Sequence, residues 1–220
     1  MVSITCSLAS IYRRLRQHFG HQDWWPGETP FEVVVGAVLT QRTAWVNVEQ
    51  AIGNLKRTGA LTAEGIAALP IGRLAELIRP SGYYNQKAGR LKAVSEYLLG
   101  RCGGDLSRLD GVPTGALRDE LLSIGGIGPE TADSILLYAL ERPVFVVDAY
   151  TRRALDRLGL ADGSAGYPQI QALFGDNLTP DAALFKDFHA QFVALGKSYC
   201  RKKPICGGCP LKSICQYIER

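Results

Sequence analysis

Apolar residues recur three and four positions apart along most of this chain, and no run of strand-type residues is longer than Pro143–Val147. That periodicity constrains the fold more than any other feature, because it lines one face of a helix and scatters across both faces of a strand. Ile4, Leu8, Ile11, Tyr12 and Leu15 share one such face. Val34, Val35, Val38 and Leu39 share another, and Val46, Val48, Ile52 and Leu55 a third. Residues 116–122, 132–140, 151–158 and 185–195 repeat the pattern. Glycine and proline punctuate between them, in WWPGETP, RPSGYYN, RCGGD, DGVPTG, IGGIGP and LADGSAGYP. The pattern predicts an all-α protein of about nine or ten short helices, without an internal repeat or a linker.

The chain has 220 residues, 46% of them hydrophobic, enough for one large domain or two small ones packed together. Its longest apolar runs, such as Val33–Leu39 and Ile135–Leu140, are too short to cross a bilayer. The start lacks the basic end, long apolar core and small-residue cleavage site of a secretory signal, so a cytoplasmic protein with no membrane partner is expected. A net charge of +4 permits nucleic-acid binding without requiring it. The basic residues gather at Tyr12-Arg13-Arg14, Arg152-Arg153 and Arg201-Lys202-Lys203, which read equally as solvated surface.

Residues Gly125–Asp133, GGIGPETAD, carry the most informative turn. A helix over Leu117–Ser123 runs into glycines able to take positive φ, and Pro129 suits the first turn of the helix that follows. Such a turn presents backbone N–H groups to an anion, for which DNA phosphate is a fitting partner. A plain helical corner is the alternative. About twenty residues on, past VFVV, Asp148 opens the helix AYTRRALDRLG, where an aspartate also serves as an N-cap.

Four of the six cysteines fall in the last 21 residues, Cys200, Cys206, Cys209 and Cys215, with gaps of five, two and five. In a reducing cytoplasm that crowding argues for metal, and the spacing by itself admits zinc or a [4Fe–4S] cluster. Cys6 and Cys102 stand apart as ordinary thiols.

Helix, GxG turn, helix, apolar run and aspartate together resemble the helix-hairpin-helix DNA glycosylase superfamily. That resemblance implies Asp148 as the catalytic carboxylate and a hairpin that grips the strand through Gly126 and Gly128. The cysteine tail is similar to the cluster loop of endonuclease III relatives, with a first gap one residue shorter. This implies a [4Fe–4S] cluster, with zinc as the alternative, that staples the loop and presents Arg201, Lys202, Lys203 and Lys212 to phosphates. In relatives that cut the strand, a lysine lies two residues after the second hairpin glycine; here that position is Glu130. A carboxylate cannot form an imine, so base removal without strand cleavage is expected. An acidic residue on a first turn also suits the helix dipole.

WWP, GAVLTQRTAW, RPSGYYNQKAGRL and GIGPETADSIL together resemble the endonuclease III-related 3-methyladenine DNA glycosylase branch, over roughly residues 10–215. The resemblance implies a base pocket lined by Trp24, Trp25 and Trp45 beside Glu130, although the branch's known pocket carries a smaller aromatic at the third position. It implies Gln41 as the plug of the gap left by a flipped base and Tyr83 as the wedge in the opposite strand. Asn85 and Arg153 complete the implied DNA contacts.

The expectation is a helix-hairpin-helix fold of two helical lobes with a cleft between them and a C-terminal [4Fe–4S] loop. The six-helix lobe spans 28–142 with its hairpin at about 114–141. The second lobe joins 1–27 to 143–220 with the cluster loop at 200–215. The expected activity is a monofunctional base-excision-repair glycosylase that flips out alkylated purine, 3-methyladenine, from double-stranded DNA and leaves an abasic site. The enzyme is expected to be a monomer, cytoplasmic and nucleoid-associated. The alternatives are a uracil or mismatched-thymine glycosylase, an oxidised-pyrimidine enzyme, and a non-catalytic DNA-binding module.

Overall fold

The computed structural model describes residues 4–217, with side chains from Ser7 onward. The face position of Ile4 and the thiol of Cys6 therefore lie outside the described residues. Eleven α-helices follow one another among the described residues. They are α1 (Ile4–Phe19), α2 (Pro30–Leu39), α3 (Trp45–Arg57), α4 (Ala63–Ala68), α5 (Ile71–Leu77), α6 (Tyr84–Cys102), α7 (Thr114–Leu122), α8 (Pro129–Ser134), α9 (Ala149–Arg157), α10 (Tyr167–Gly175) and α11 (Ala182–Ser198). Short 3₁₀ turns lie at Arg79–Ser81, Leu106–Leu109 and Lys212–Ile214, and no strand occurs among the described residues. The count exceeds the nine or ten expected because α4 and α5, six and seven residues long, carry too few apolar positions to show a period. No described helix is long and apolar enough to cross a membrane.

The chain divides into two compact units. One runs from Trp25 to Arg142, and its centre is α2. Every residue of α2 from Phe31 to Leu39 is buried, the signature of a helix surrounded by its own protein. Thr29 caps it by accepting the Glu32 amide at 3.1 Å, and Pro30 takes the first helical position. Helices α3, α6 and α8 pack on it. Helix α8 does not end at Ser134 but widens into a π-helical turn over Ile135–Ala139, where the Leu140 amide reaches the Ile135 carbonyl at 3.2 Å. All five residues of that turn are buried, Tyr138 among them.

The other unit joins the residues up to Trp24 to those from Pro143 onward. Its core is aromatic. Phe145 stacks on Phe174 and meets Phe185 and Phe188 edge-on, while Phe188 stacks on Phe192 with centroids 4.9 Å apart. Here VFVV is buried coil rather than strand: Phe145, Val146 and Val147 have no ladder to join and anchor the approach to α9. Helix α11 crosses both α1 and α9. Buried Asp187 on α11 ties the N-terminal segment down, accepting from Tyr12 Oη at 2.7 Å and from the Gln22 amide at 3.0 Å.

Candidate functional site

The hairpin between α7 and α8 follows from three residues. Ile127 is buried and its amide closes a turn on the Ile124 carbonyl at 3.0 Å. Gly126 has φ +86°, and a Cβ there would lie 2.5 Å from Arg90 Nε. Gly128 is the extended N-cap and Pro129 the first helical residue. Beneath the turn Arg118 of α7 and fully buried Asp133 of α8 pair through two bonds, 2.7 and 3.1 Å long, which fixes the helix pair. Glu130 lies exposed on the first turn of α8, and its carbonyl accepts from Ser134 Oγ at 2.7 Å.

Gln41 docks on this hairpin. Its amide nitrogen donates to the Gly126 carbonyl at 3.2 Å and to Thr131 Oγ1 at 2.9 Å, and its oxygen accepts from Arg90 Nη1. The next residue, Arg42, has φ +55°. Tyr83, also left-handed at φ +46°, is the N-cap of α6 and is 58% exposed, with exposed Asn85 two residues further on. Thus two non-glycine residues hold a conformation that L side chains avoid, each at a position assigned to strand reading or next to one.

In the same unit Trp25 is the hub of an aromatic group. It meets Trp45 edge-to-face at 5.3 Å and Tyr138 at 5.1 Å. Gly36 lies under its indole, where a Cβ would come within 2.9 Å of Trp25 Nε1. Trp45 opens α3 and donates its indole N–H to Glu49 at 2.9 Å. A recess of about 480 Å³ borders Trp45 on the side of Pro26, Glu28, Glu32, Glu49 and Lys56. Both Glu28 and Glu32 pair with Lys56 there, and three carboxylates against one ammonium make it a poor seat for phosphate.

The second group of residues belongs to the other unit. Asp148 caps α9, accepting the Thr151 amide at 2.7 Å on Oδ1. Its Oδ2 stands 3.6 Å from His189 Nε2 of α11. Burial pushes the carboxyl up, His189 and the Thr151 amide pull it down, and the balance lies below the usual aspartate value. The cap thus engages one carboxylate oxygen and leaves the other facing His189. Trp24 lies 6.1 Å from the His189 ring, and the Lys197 ammonium sits 5.7 Å from its centroid.

The cysteine loop is held from α9. Arg157 donates to Cys200 Sγ at 3.3 Å, to the Arg201 carbonyl at 2.7 Å and to the Lys202 carbonyl at 3.1 Å. Its own carbonyl accepts the Gln216 amide at the far end of the loop, at 3.1 Å. Arg153, assigned to DNA from the sequence, donates to the Cys200 carbonyl at 2.6 Å and lies over the Tyr150 ring. Burial raises the Cys209 thiol, and the neighbouring sulfurs of Cys200 and Cys215 raise it further. The Cys209 sulfur thus lies in electrostatic reach of Cys200 and of Cys215, the donor type of a four-thiolate centre, while among the described residues no three ligand side chains gather around one metal position.

The sequence reading overlooked Tyr138, His189, Lys197, Arg90 and Arg157. Tyr138 carried one signal, an aromatic inside the small and aliphatic run after the hairpin. The others are polar residues whose partners lie far along the chain, which no local pattern reveals.

Known proteins give this geometry its context. A family model described as HhH-GPD superfamily base excision DNA repair protein matches residues 35–180. A Methanocaldococcus jannaschii protein, MJ1434, provisionally described as a DNA repair glycosylase, is 50% identical over 207 residues, covering 93% of this chain and 94% of its own. Endonuclease III of Thermotoga maritima is 32% identical over 192 residues, covering 87% and 84%. Among solved structures, the 3-methyladenine DNA glycosylase MagIII of H. pylori, bound to 1,N6-ethenoadenine, superposes with a TM-score of 0.74 at 31% identity, covering 89% of this chain and 98% of that one.

Proposed function

This chain belongs to the HhH-GPD superfamily of base excision DNA repair proteins and is a DNA glycosylase, and from that premise we propose that it excises 3-methyladenine and stops at the abasic site. The observation that carries the reading is the aromatic group of Trp25, Trp45 and Tyr138, which offers stacking surface and few groups to read a pyrimidine edge. 3-Methyladenine in DNA is a cation, and indole faces attract cations by about 0.5–2 kcal/mol per contact. Similarity to the H. pylori enzyme supports the same substrate class.

The chemistry asks little of the protein. The glycosidic bond to a cationic base is already weak, so no acid is needed to protonate the leaving group. As C1′–N breaks, its electron pair returns to the ring and neutralises the base. Positive charge then builds on the sugar, where the Asp148 carboxylate stabilises it and orients water, and the proton of that water passes to the carboxylate or to solvent. His189 and the Thr151 amide keep Asp148 ionised for this work. Glu130 supplies no amine, so no imine forms and the strand stays intact. Gln41 fills the vacated stack and Tyr83 parts the opposite strand. Cys200, Cys206, Cys209 and Cys215 would hold a [4Fe–4S] cluster, which ties down the basic loop and takes no part in hydrolysis; zinc would do the same without colour.

The test is release of free base from methylated duplex DNA, with nicking scored before and after alkali. Released 3-methyladenine with nicks only after alkali is expected. Release of uracil or mismatched thymine instead would overturn the aromatic reading. Nicking without alkali would overturn the reading of Glu130 and turn attention to Lys197, whose loss by Lys197→Met should then abolish borohydride trapping.

A further inference from the structure

Lys87 is fully buried, and the base-removal chemistry has no use for it. It sits in the first turn of α6, with its amide on the Tyr83 carbonyl at 3.0 Å. Its ammonium donates to two carbonyls from separate parts of the chain, Leu39 at 2.8 Å and Ser81 at 2.7 Å. Leu39 is the last residue of α2, whose terminal carbonyls lack intrahelical partners and concentrate negative potential. Gln41 follows two residues later and left-handed Arg42 three later. Ser81, itself buried, closes the 3₁₀ turn, and left-handed Tyr83 follows two residues later. One buried cation therefore roots both strained loops at the same depth from their tips. A buried lysine is costly unless its partners are well placed, and a hydrophobic side chain would fill the same space at no such cost.

We propose that Lys87 is a positioning residue for DNA reading: its ammonium clasps the roots of the Gln41 loop and the Tyr83 loop, so that plug and wedge enter the duplex as a pair. The inference rests on the reading of Gln41 and Tyr83 as the plug and the wedge. Arg90, one turn further along α6, holds Gln41 on the hairpin in the free protein. The two cations thus divide the work, one holding the loop roots and the other docking the tip.

The experiment uses the full-length protein and DNA that contains no base to excise. A duplex carrying a tetrahydrofuran abasic analogue opposite 2-aminopurine reports insertion as a rise in fluorescence. Lys87→Met is compared with wild type and with Lys92→Met, which removes another α6 lysine bonded to a carbonyl, that of Ala67. Lys87→Met should lose about tenfold in affinity for this duplex together with most of the fluorescence rise, while binding to the single strand carrying the same analogue is kept. Lys92→Met should behave as wild type. Lys87→Gln, which retains a donor, should fall between, and it carries the test if Lys87→Met does not fold. A Lys87 variant with a lowered melting temperature but the wild-type fluorescence rise overturns the proposal, as does an equal loss on duplex and single strand. No rise in the wild type would overturn it too, by removing the plug and wedge on which it rests. Failure to release 3-methyladenine would sink the substrate reading and leave these measurements standing.

Discussion

Asp148, the cap of α9 and the proposed catalytic carboxylate, divides its two oxygens between two partners. Oδ1 is committed to the Thr151 amide, and Oδ2 faces His189. Because the carboxyl lies below its usual value, base release should stay level as pH falls from neutrality and drop only below about 4, the ordinary aspartate range. Asp148→Asn should cost about 10²- to 10⁴-fold in release rate while leaving duplex binding in place. His189→Leu removes the first of the two groups that oppose burial, so the acid limb of the rate profile should move to higher pH; an unmoved limb would show that His189 does not hold the carboxylate. Lys87 is shifted in the same direction, downward, but by burial rather than against it. Burial, with Arg90 nearby, lowers its ammonium to about 8. Between there and the ordinary lysine value near ~10.4 the unfolded chain binds more protons than the folded one, so this group adds stability as pH rises through that window. Denaturation at pH 7.5 and 10 should show the gain in wild type and not in Lys87→Met.

At the scale of elements, the hairpin was legible because its requirements are local. Gly126 needs positive φ, Pro129 needs a first turn, and Ile127 needs burial, and all three sit within five residues. The neighbours that give the turn its use were not legible. Arg90 is 36 positions upstream of Gly126 by chain numbering and reads in the sequence as one more surface charge on a helix. Gly126→Ala tests the junction. The substitution strains the turn by about 1–2 kcal/mol and drives Cβ into Arg90, so Gln41 loses its dock. Duplex affinity should fall severalfold, and a variant that binds as wild type would show the dock to be dispensable. Arg118→Met is the harsher change, because it breaks the two-bond ion pair to fully buried Asp133, at a cost of about 3–5 kcal/mol in denaturation experiments.

For the whole molecule, helical periodicity revealed the fold class, while the number of helices exceeded what periodicity could show. Helices such as α4 owe their existence to a cap, Thr62 accepting the Gly65 amide at 2.9 Å, and to packing on α6 rather than to a stripe of their own. Four cysteines marked the C-terminal loop in the sequence; Arg157, which holds both its ends, carried no mark because a guanidinium that serves carbonyls resembles one that serves solvent. The protein as purified should be yellow-brown, absorbing near ~400 nm. Stripping the proposed cluster should open residues 200–215 to trypsin at Arg201, Lys202 and Lys212, and a colourless protein with a tryptic map unchanged by chelator would argue against a metal there. Arg157→Ala should bleach faster than wild type under oxidant.

The π turn at Ile135–Ala139 carries one residue more than an α-helical turn of the same height. Since each residue advances a helix by about 100°, that extra residue sets the facing of the side chains around it. Tyr138, inside this turn, lies 5.1 Å from Trp25, centroid to centroid. Removing one of its residues other than Tyr138 should let the backbone relax into regular helix and swing the phenol off the indole. The most conservative-looking deletion in the chain is thus one that should leave a well-folded protein with a differently shaped aromatic surface, and relatives that differ by one residue here would differ in what they can hold.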